Sequence, residues 1–272
     1  MDQQTLSIIK FLIKETPVGH IKSTIDNLKV ILGLDLTDNN EIRNELVHFE
    51  EQHLRHVNVN DEKIVLSSFN NGNDGFYYDQ VKKLKISIEP LNENIEKIET
   101  LNESPCELTM KIDEALKKHI EKNYKSSVTA SNIFKKDDNT YNILISAHNY
   151  NYKNYWSGEW LGFWTLTNEN GKYVLKGTLR LSTYYYEEGN VQFKSSKDYE
   201  DILKGSHSDV SSLANEIIKK IENSENDIQS ELEKIYDDLS DNYLKPLRRR
   251  IPFTGQKMNW RLNQISIGKE GK

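Results

Sequence analysis

Apolar side chains recur at helical spacing through the first 56 residues. Leu6, Ile9, Phe11, Leu12 and Ile13 fall within residues 4–14, and the pattern stops before Pro17. Ile21, Ile25, Leu28, Ile31 and Leu32 keep the i, i+4, i+7 spacing of one buried face and end at Gly33. A third run, Ile42, Leu46 and Phe49 with Leu54 at its end, follows the capping segment Thr37-Asp38-Asn39. Three amphipathic helices with short links predict a small antiparallel bundle over residues 1–56, a stalk or a cap.

Beyond Val57 the apolar runs shorten. Lys63–Phe69 and Leu84–Ile88 flank a turn cluster at 71–75, which predicts a small, loop-rich β globule. Asn92–Glu103 reads as a polar linker or loose helix, so globule and linker occupy 57–103. Ser104-Pro105 opens a helix over 105–124, with Leu108, Ile112, Ala115 or Leu116, and Ile120 on one face and Pro105 in its first turn.

From Val128 to about Lys197 aromatic and β-branched residues dominate. Tyr141–Tyr150, Tyr155–Thr167, Tyr173–Tyr186 and Val191–Ser195 are separated by Asn-, Asp- and Gly-rich turns, which predicts a meander of about five antiparallel strands. Leu175, Leu179 and Leu181 alternate with Lys176, Thr178 and Arg180, so one face is buried. A long helix over 209–244 offers the cover, with Leu213, Ile217, Ile221, Ile228, Leu232, Ile235 and Leu239 in a seam. The fold class is α+β. It comprises a helical stalk, a small β globule, a five-stranded antiparallel sheet covered by a long helix (together 104–244), and a C-terminal tail over 245–272.

Charge divides the chain sharply. From Lys245 onward eight basic residues face one acid, a net of +7; the whole chain is −6, which leaves −13 on the preceding 244 residues. Four of the cations fall within Lys245-Pro246-Leu247-Arg248-Arg249-Arg250. One or two would complement a helix C-terminus; four point to an acidic partner surface. Placed on a helix, Met258, Leu262 and Ile265 share one side of the tail, with Trp260 and Ile267 opposite. One stripe then rests on the body and the other enters a partner groove, Lys257 and Arg261 adding charge; a fully docked tail with Trp260 covering the core is the alternative.

Hydrophobic content of 36% beside 29% charged residues suggests an elongated body or a surface completed by another chain. Cys106 is the only cysteine, which excludes an internal disulfide and fits a reducing compartment. No run of about 18 apolar residues and no basic leader occurs, so a cytoplasmic location is expected. Glu50-x-x-His53 with His48, His56 and Glu51 hints at a metal site, but a carboxylate-bridged centre needs two such pairs plus further carboxylates. These residues read as a solvated helix face. No zincin, phosphate-loop, nucleophile-elbow, kinase or EF-hand pattern occurs, so no catalytic residue, cofactor or metal is expected and calcium is unnecessary. Cys106, near a helix start, reads as a structural thiol. The aromatic run Trp156, Trp160, Phe163, Trp164 and Tyr184–Tyr186 suits either cross-strand packing and a subunit interface or a base-stacking platform. The acidic body argues against nucleic acid.

Three places carry a resemblance. Tyr155-Trp156-Ser157-Gly158-Glu159-Trp160 and Tyr185-Tyr186-Glu187-Glu188-Gly189-Asn190-Val191-Gln192 form an aromatic strand and hairpin; Leu247-Arg248-Arg249-Arg250-Ile251-Pro252 is a basic turn; Lys257-Met258-Asn259-Trp260 and Ile267-Gly268-Lys269-Glu270 mark the tail. In this order they resemble the alpha subunit of the heterodimeric actin-filament capping protein family. That resemblance implies a non-enzymatic, cytoskeletal protein whose two subunits form one continuous sheet and whose tails block the filament's barbed end. It places the actin-contacting cations at Lys245 and Arg249, beside Arg248, and phosphoinositide binding on the same Lys245 and Arg249. Gly255 stands at a basic position of the family, and Arg250 is the expected electrostatic compensation. The expected partners are the barbed end, a beta subunit or a second copy of the chain, phosphoinositides and regulators. The alternative is a peripheral module whose basic amphipathic tail binds anionic lipid.

Overall fold

The computed structural model describes residues 2–36, 38–60, 62–72, 74–91, 95–102, 104–169, 171–187, 189–203 and 209–238. It divides into two units, residues 1–222 and 223–272. The last helix begins in the first and continues into the second.

Helices α1 (Gln3–Lys14), α2 (Ile21–Leu32) and α3 (Asn40–Gln52) form the predicted bundle. Asp2 caps α1 by accepting from Thr5 N–H at 2.7 Å, and Asn39 caps α3 by accepting from Glu41 and Ile42 N–H. Gly33 ends α2 at φ +65°, where a side chain would be strained. Leu6, Ile9, Ile13, Ile25, Leu28, Leu36, Ile42, Leu46 and Phe49 pack as one core. Ile31 does not join it. It is 76% exposed and its neighbour Val30 83%, because α2 turns Ile25, Leu28 and Leu32 to the core and Val30 and Ile31 away from it.

The globule holds two small sheets. β1 (His56–Val59) pairs antiparallel with β2 (Glu62–Val65), and β3 (Tyr77–Asp79), β4 (Leu84–Ile88) and β5 (Ile95–Thr100) form the other. Val57, Val59, Ile64, Leu66, Tyr77 and Ile86 make its core. Two expectations change here. Of the predicted Lys63–Phe69 run only the part up to Val65 is strand, since Asn70 draws the chain into a turn by accepting from Ser67 N–H at 2.9 Å. The predicted linker at 92–103 contains β5 instead: Ile98 pairs with Ile86 and Ile95 with Ile88, and a bulge at Ser87/Ile88 spaces the two isoleucines three residues apart, so no two-residue period shows in the sequence.

α4 (Glu107–Asn123) begins after Cys106 at the N-cap, so Pro105 lies before the cap and not in the first turn. The main sheet then runs β6 (Val128–Lys135), β7 (Thr140–Asn151), β8 (Trp156–Glu169), β9 (Lys172–Tyr185) and β10 (Val191–Ile202), an antiparallel meander in simple order. β10 extends past the predicted Ser195 because its polar residues keep pairing with β9, down to Ile202 opposite Val174. α5 is described over Val210–Asp238. Leu239 to Leu244, the predicted end of the helix, lie outside the described residues.

Register assigns the faces. Ser146, His148, Ser157, Glu159 and Leu161 share the face turned to the stalk and globule, where Leu54, Val65, Ala130, Phe134, Leu144 and Leu161 cluster. Ile143, Ile145, Trp164 and Leu179 lie on the opposite face and are buried, as are Leu108, Ile112 and Leu116 of α4 and Leu213, Ile217 and Ile221 of α5. Lys220 holds Asp201 of β10 at 2.8 Å, and Glu222 holds Lys122 of α4 at 2.9 Å, fixing the first half of α5 beside both.

Candidate partner interface

The sheet's two edges differ. On β6, Gln80 of the globule acts as a strand in miniature: its amide accepts from Lys135 N–H at 2.8 Å and donates to Lys135 O at 3.2 Å. Lys63 donates to Thr129 O at 3.0 Å further along. β10 is the other edge, and among the described residues no strand pairs with its outer side over 12 residues. A long free edge offers a row of unpaired N–H and C=O groups to a strand from another chain.

Uncovered apolar side chains lie near that edge. Val191 is 61% exposed, and Phe193 and Tyr185 are also exposed; register puts all three on the helix-covered face together with Trp156 and Trp160. The stalk adds Ile8, Phe11, Val30, Ile31 and Leu34, all exposed. Scattered exposed apolar residues, as on the stalk, are ordinary; the grouping of Tyr185, Val191 and Phe193 beside an open strand edge marks an association surface.

The aromatic run is therefore no single platform. Trp164 is buried over Gly177 and stacks on Tyr199 at 6.2 Å, whereas Phe163 faces the other way beneath the Arg180 guanidinium at 4.8 Å. Tyr184 and Tyr186 stack at 5.1 Å and, with Tyr152, enclose His20 edge-on at 4.8–5.7 Å. Burial holds the His20 imidazole below its ordinary pKa. The turn before α2 is pinned there by Ser157, which donates to Val18 O at 2.7 Å, and by Tyr152, which donates to Gly19 O at 2.9 Å.

The polar residues near the end of α3 are not a solvated face. Glu50 and Glu51 are buried. Glu50 pairs with Arg55 and accepts from Leu91 N–H at 2.7 Å; burial raises its pKa against the pull of Arg55. Glu51 accepts from Asn71 and from Tyr77, whose phenol is pushed up mainly by burial and then by Glu51. His53 meets Glu159 at 2.8 Å across 106 residues of sequence. No local pattern announces such a contact. Among the described residues no group of three or more His, Cys, Asp or Glu is arranged to hold a metal.

His148 is the centre of a directed chain. Ser146 donates to Leu54 O at 2.8 Å and so accepts from His148 Nε2–H at 2.7 Å, which leaves Nδ1 to accept from Tyr150 OH at 2.7 Å. The imidazole is neutral, and burial lowers its pKa despite nearby Glu159. Cys106 sits 3.0 Å from Thr109 Oγ1 and 3.9 Å from Tyr141 OH. Burial pushes its thiol up, and the hydrogen bonds from Thr109 and Tyr141 outweigh that, so its pKa is lowered. The Tyr141 phenol rises to about 12, through burial first and Cys106 second.

The predicted contact residues Lys245, Arg248, Arg249, Arg250, Lys257, Met258, Trp260, Arg261, Leu262, Ile265 and Ile267 lie outside the described residues. A model of the F-actin capping protein alpha subunit family matches residues 9–270 and so spans them. The chain belongs to that family. An F-actin-capping protein subunit alpha of Schizosaccharomyces pombe is 30% identical over 92% of this chain and 93% of its own length. The Caenorhabditis elegans subunit is 27% identical over 100% and 98%. A solved homodimeric actin capping protein alpha subunit from Plasmodium berghei, 22% identical, superposes with a TM-score of 0.77 over 92% of this chain and 98% of that one. The helical stalk, small globule, five-stranded sheet and long helix are thus the alpha-subunit fold.

Proposed function

We propose that this chain is one subunit of a dimeric cap on the barbed end of actin filaments, acting by occlusion and without calcium. Membership of the alpha-subunit family, over a match that runs from the stalk through the tail, is the observation that carries the reading. Residues 1–56 serve as stalk, 57–103 as globule and linker, 104–244 as sheet with its two helices, and 245–272 as the filament-contacting tail. Lys245, Arg248, Arg249 and Arg250 meet the acidic actin surface, and Met258, Leu262 and Ile265 enter an apolar groove beside Lys257, Arg261, Trp260 and Ile267. The free β10 edge and its exposed Val191 and Phe193 support a partner that continues the sheet. That partner is a beta subunit or a second copy. The setting is cytoskeletal and cytoplasmic; no helix among the described residues is long and apolar enough to cross a membrane.

Seeded actin assembly tests this reading directly. Elongation from barbed ends falls with added protein, and a Lys245→Glu/Arg249→Glu variant loses at least ~10-fold in potency, as expected for charge reversal at desolvated contacts. Unaltered elongation at every concentration, with and without a beta subunit, rejects the reading. The +7 tail also supports anionic-lipid binding through Lys245 and Arg249. Co-sedimentation with phosphoinositide vesicles separates the two: lipid binding without any effect on filament growth favours the peripheral-module alternative.

A further inference from the structure

A cavity of about 700 Å³ opens where stalk, globule and sheet meet. The turn before α2, the end of α3, the start of β1, the turn before β6 and the end of β7 all contribute walls. Its size falls within the roughly 300–1,000 Å³ of small-molecule sites. Val18, Ile21, Phe49, Val128 and the Tyr150 ring give it an apolar lining.

Its polar groups are unevenly spent. Tyr150 OH is used by His148, Tyr152 OH by Gly19 O, and His53 Nδ1 by Glu159. Both His148 nitrogens are engaged. Glu50 is the one acid in the lining, and Arg55 and Leu91 N–H hold it. Lys22 and Lys125 have no ion-pair partner among the described residues, and His56 Nδ1 is buried with no hydrogen-bond partner there. The unspent capacity is thus cationic or donor, inside a body whose first 244 residues carry −13. Two lysines and an imidazole suit a single small anionic group. Arg55 is committed to Glu50, so no bidentate guanidinium is free to favour a phosphate, and the single charge of a carboxylate is matched by the two ammonium groups and one N–H.

We propose that this cavity is a binding site for a small amphipathic carboxylate, its apolar body against Phe49, Ile21 and Tyr150 and its carboxylate on Lys22, Lys125 and His56. Burial, with His148, Lys63 and Arg55 nearby, keeps His56 largely neutral with a pKa of about 4, so it serves as a neutral donor beside the two ammonium groups. The site stands apart from the capping reading, since it uses neither the β10 edge nor the tail.

Isothermal titration of the full chain with 2-naphthoate, 2-naphthalenemethanol and 2-naphthyl phosphate tests the assignment. The expected result is 1:1 binding of 2-naphthoate with a Kd on the order of 100 µM, as for a ligand of this size, and at least ~10-fold weaker binding of the neutral alcohol. Lys22→Ala/Lys125→Ala weakens naphthoate by at least ~10-fold, the scale of lost charge-assisted hydrogen bonds. Lys22→Arg/Lys125→Arg retains binding, and Lys118→Ala, on the remote face of α4, changes nothing. Both lysine variants keep the parent melting temperature, which excludes unfolding as the cause. No saturable naphthoate binding, equal binding of the alcohol, tighter binding of the phosphate, or full affinity in the double alanine variant each overturns the proposal.

Discussion

Single positions in this fold are constrained by contacts that their residue types do not reveal. Gly177 is an example. A strand glycine replaced by alanine ordinarily gains about 0.4–1 kcal/mol through the unfolded chain. Here the Trp164 indole lies flat over Gly177, and an added Cβ would overlap its six-membered ring. Trp164 is itself held by Tyr199 and the wall at Gly162, so it has nowhere to shift. Gly177→Ala is expected to lower unfolding stability by about 1–3 kcal/mol, the usual cost of overpacking; urea titration with an unchanged or raised midpoint would contradict this. Titration gives a second test. His56, His148 and His20 are all depressed by burial, His56 to about 4. A histidine favoured neutral in the fold contributes its full share above the unfolded pKa near 6.5 and loses it as pH falls towards the folded value. Below pH 6.5 each such histidine subtracts up to about 1.4 kcal/mol per pH unit. Glu50, raised in the fold, runs the opposite way and offsets part of the loss. Denaturant midpoints between pH 7.5 and 4.5 should fall, and His56→Gln should flatten the slope by about one proton. An unchanged slope would place His56 outside this linkage.

At the scale of elements, edge chemistry decides how the sheet meets other chains. β6 is closed by Gln80 and Lys63, while β10 is open and flanked by exposed apolar residues. Val191→Asp with Phe193→Asp alters side chains that already face solvent, so the folded subunit should keep its melting point within roughly 0.5 kcal/mol of stability. Association is another matter. Two carboxylates at the edge should abolish dimer formation with a beta subunit or a second copy, read by sedimentation velocity; a variant that still dimerises would move the interface away from β10. Much of this architecture was legible in the chain. The 3.6-residue period of the stalk and the aromatic strands punctuated by Asn, Asp and Gly turns made α1–α3 and β7–β9 readable within a few residues, while β10 ran past its apolar start because its later residues are polar. β5 was hidden because it is polar and largely exposed, with only Ile95 packed against the globule core. Ile31 was misplaced because helical spacing marks a candidate face without fixing its width, and the buried stripe of α2 is confined to Ile25 and Leu28. The ends of α3 and β7 were unreadable, since His53 to Glu159 and Ser146 to Leu54 join residues far apart in sequence.

For the whole molecule the governing feature is the distribution of charge, −13 over 244 residues and +7 over the last 28. It was plain in the sequence, as was the tail's pattern of apolar and basic residues, although none of those residues is among the described ones. Two kinds of tail residue should then act on two different rate constants. Clustered cations steer diffusional encounter with an acidic surface, and that steering fades as salt shortens the screening length to about 8 Å at physiological strength. Apolar anchors do not steer; they slow escape. The association rate with barbed ends should therefore fall several-fold as KCl is raised from about 50 to about 300 mM, with dissociation nearly constant. Lys245→Glu/Arg249→Glu should lower the association rate and flatten its salt dependence. Met258→Ser/Leu262→Ser/Ile265→Ser removes the apolar stripe and leaves the tail's charge intact, and should raise the dissociation rate while circular dichroism stays unchanged. Single-filament microscopy resolves both constants. If both variants changed the same constant, or if salt left association untouched, the basic cluster and the apolar stripe would not be separate devices, and the tail would act as one indivisible contact.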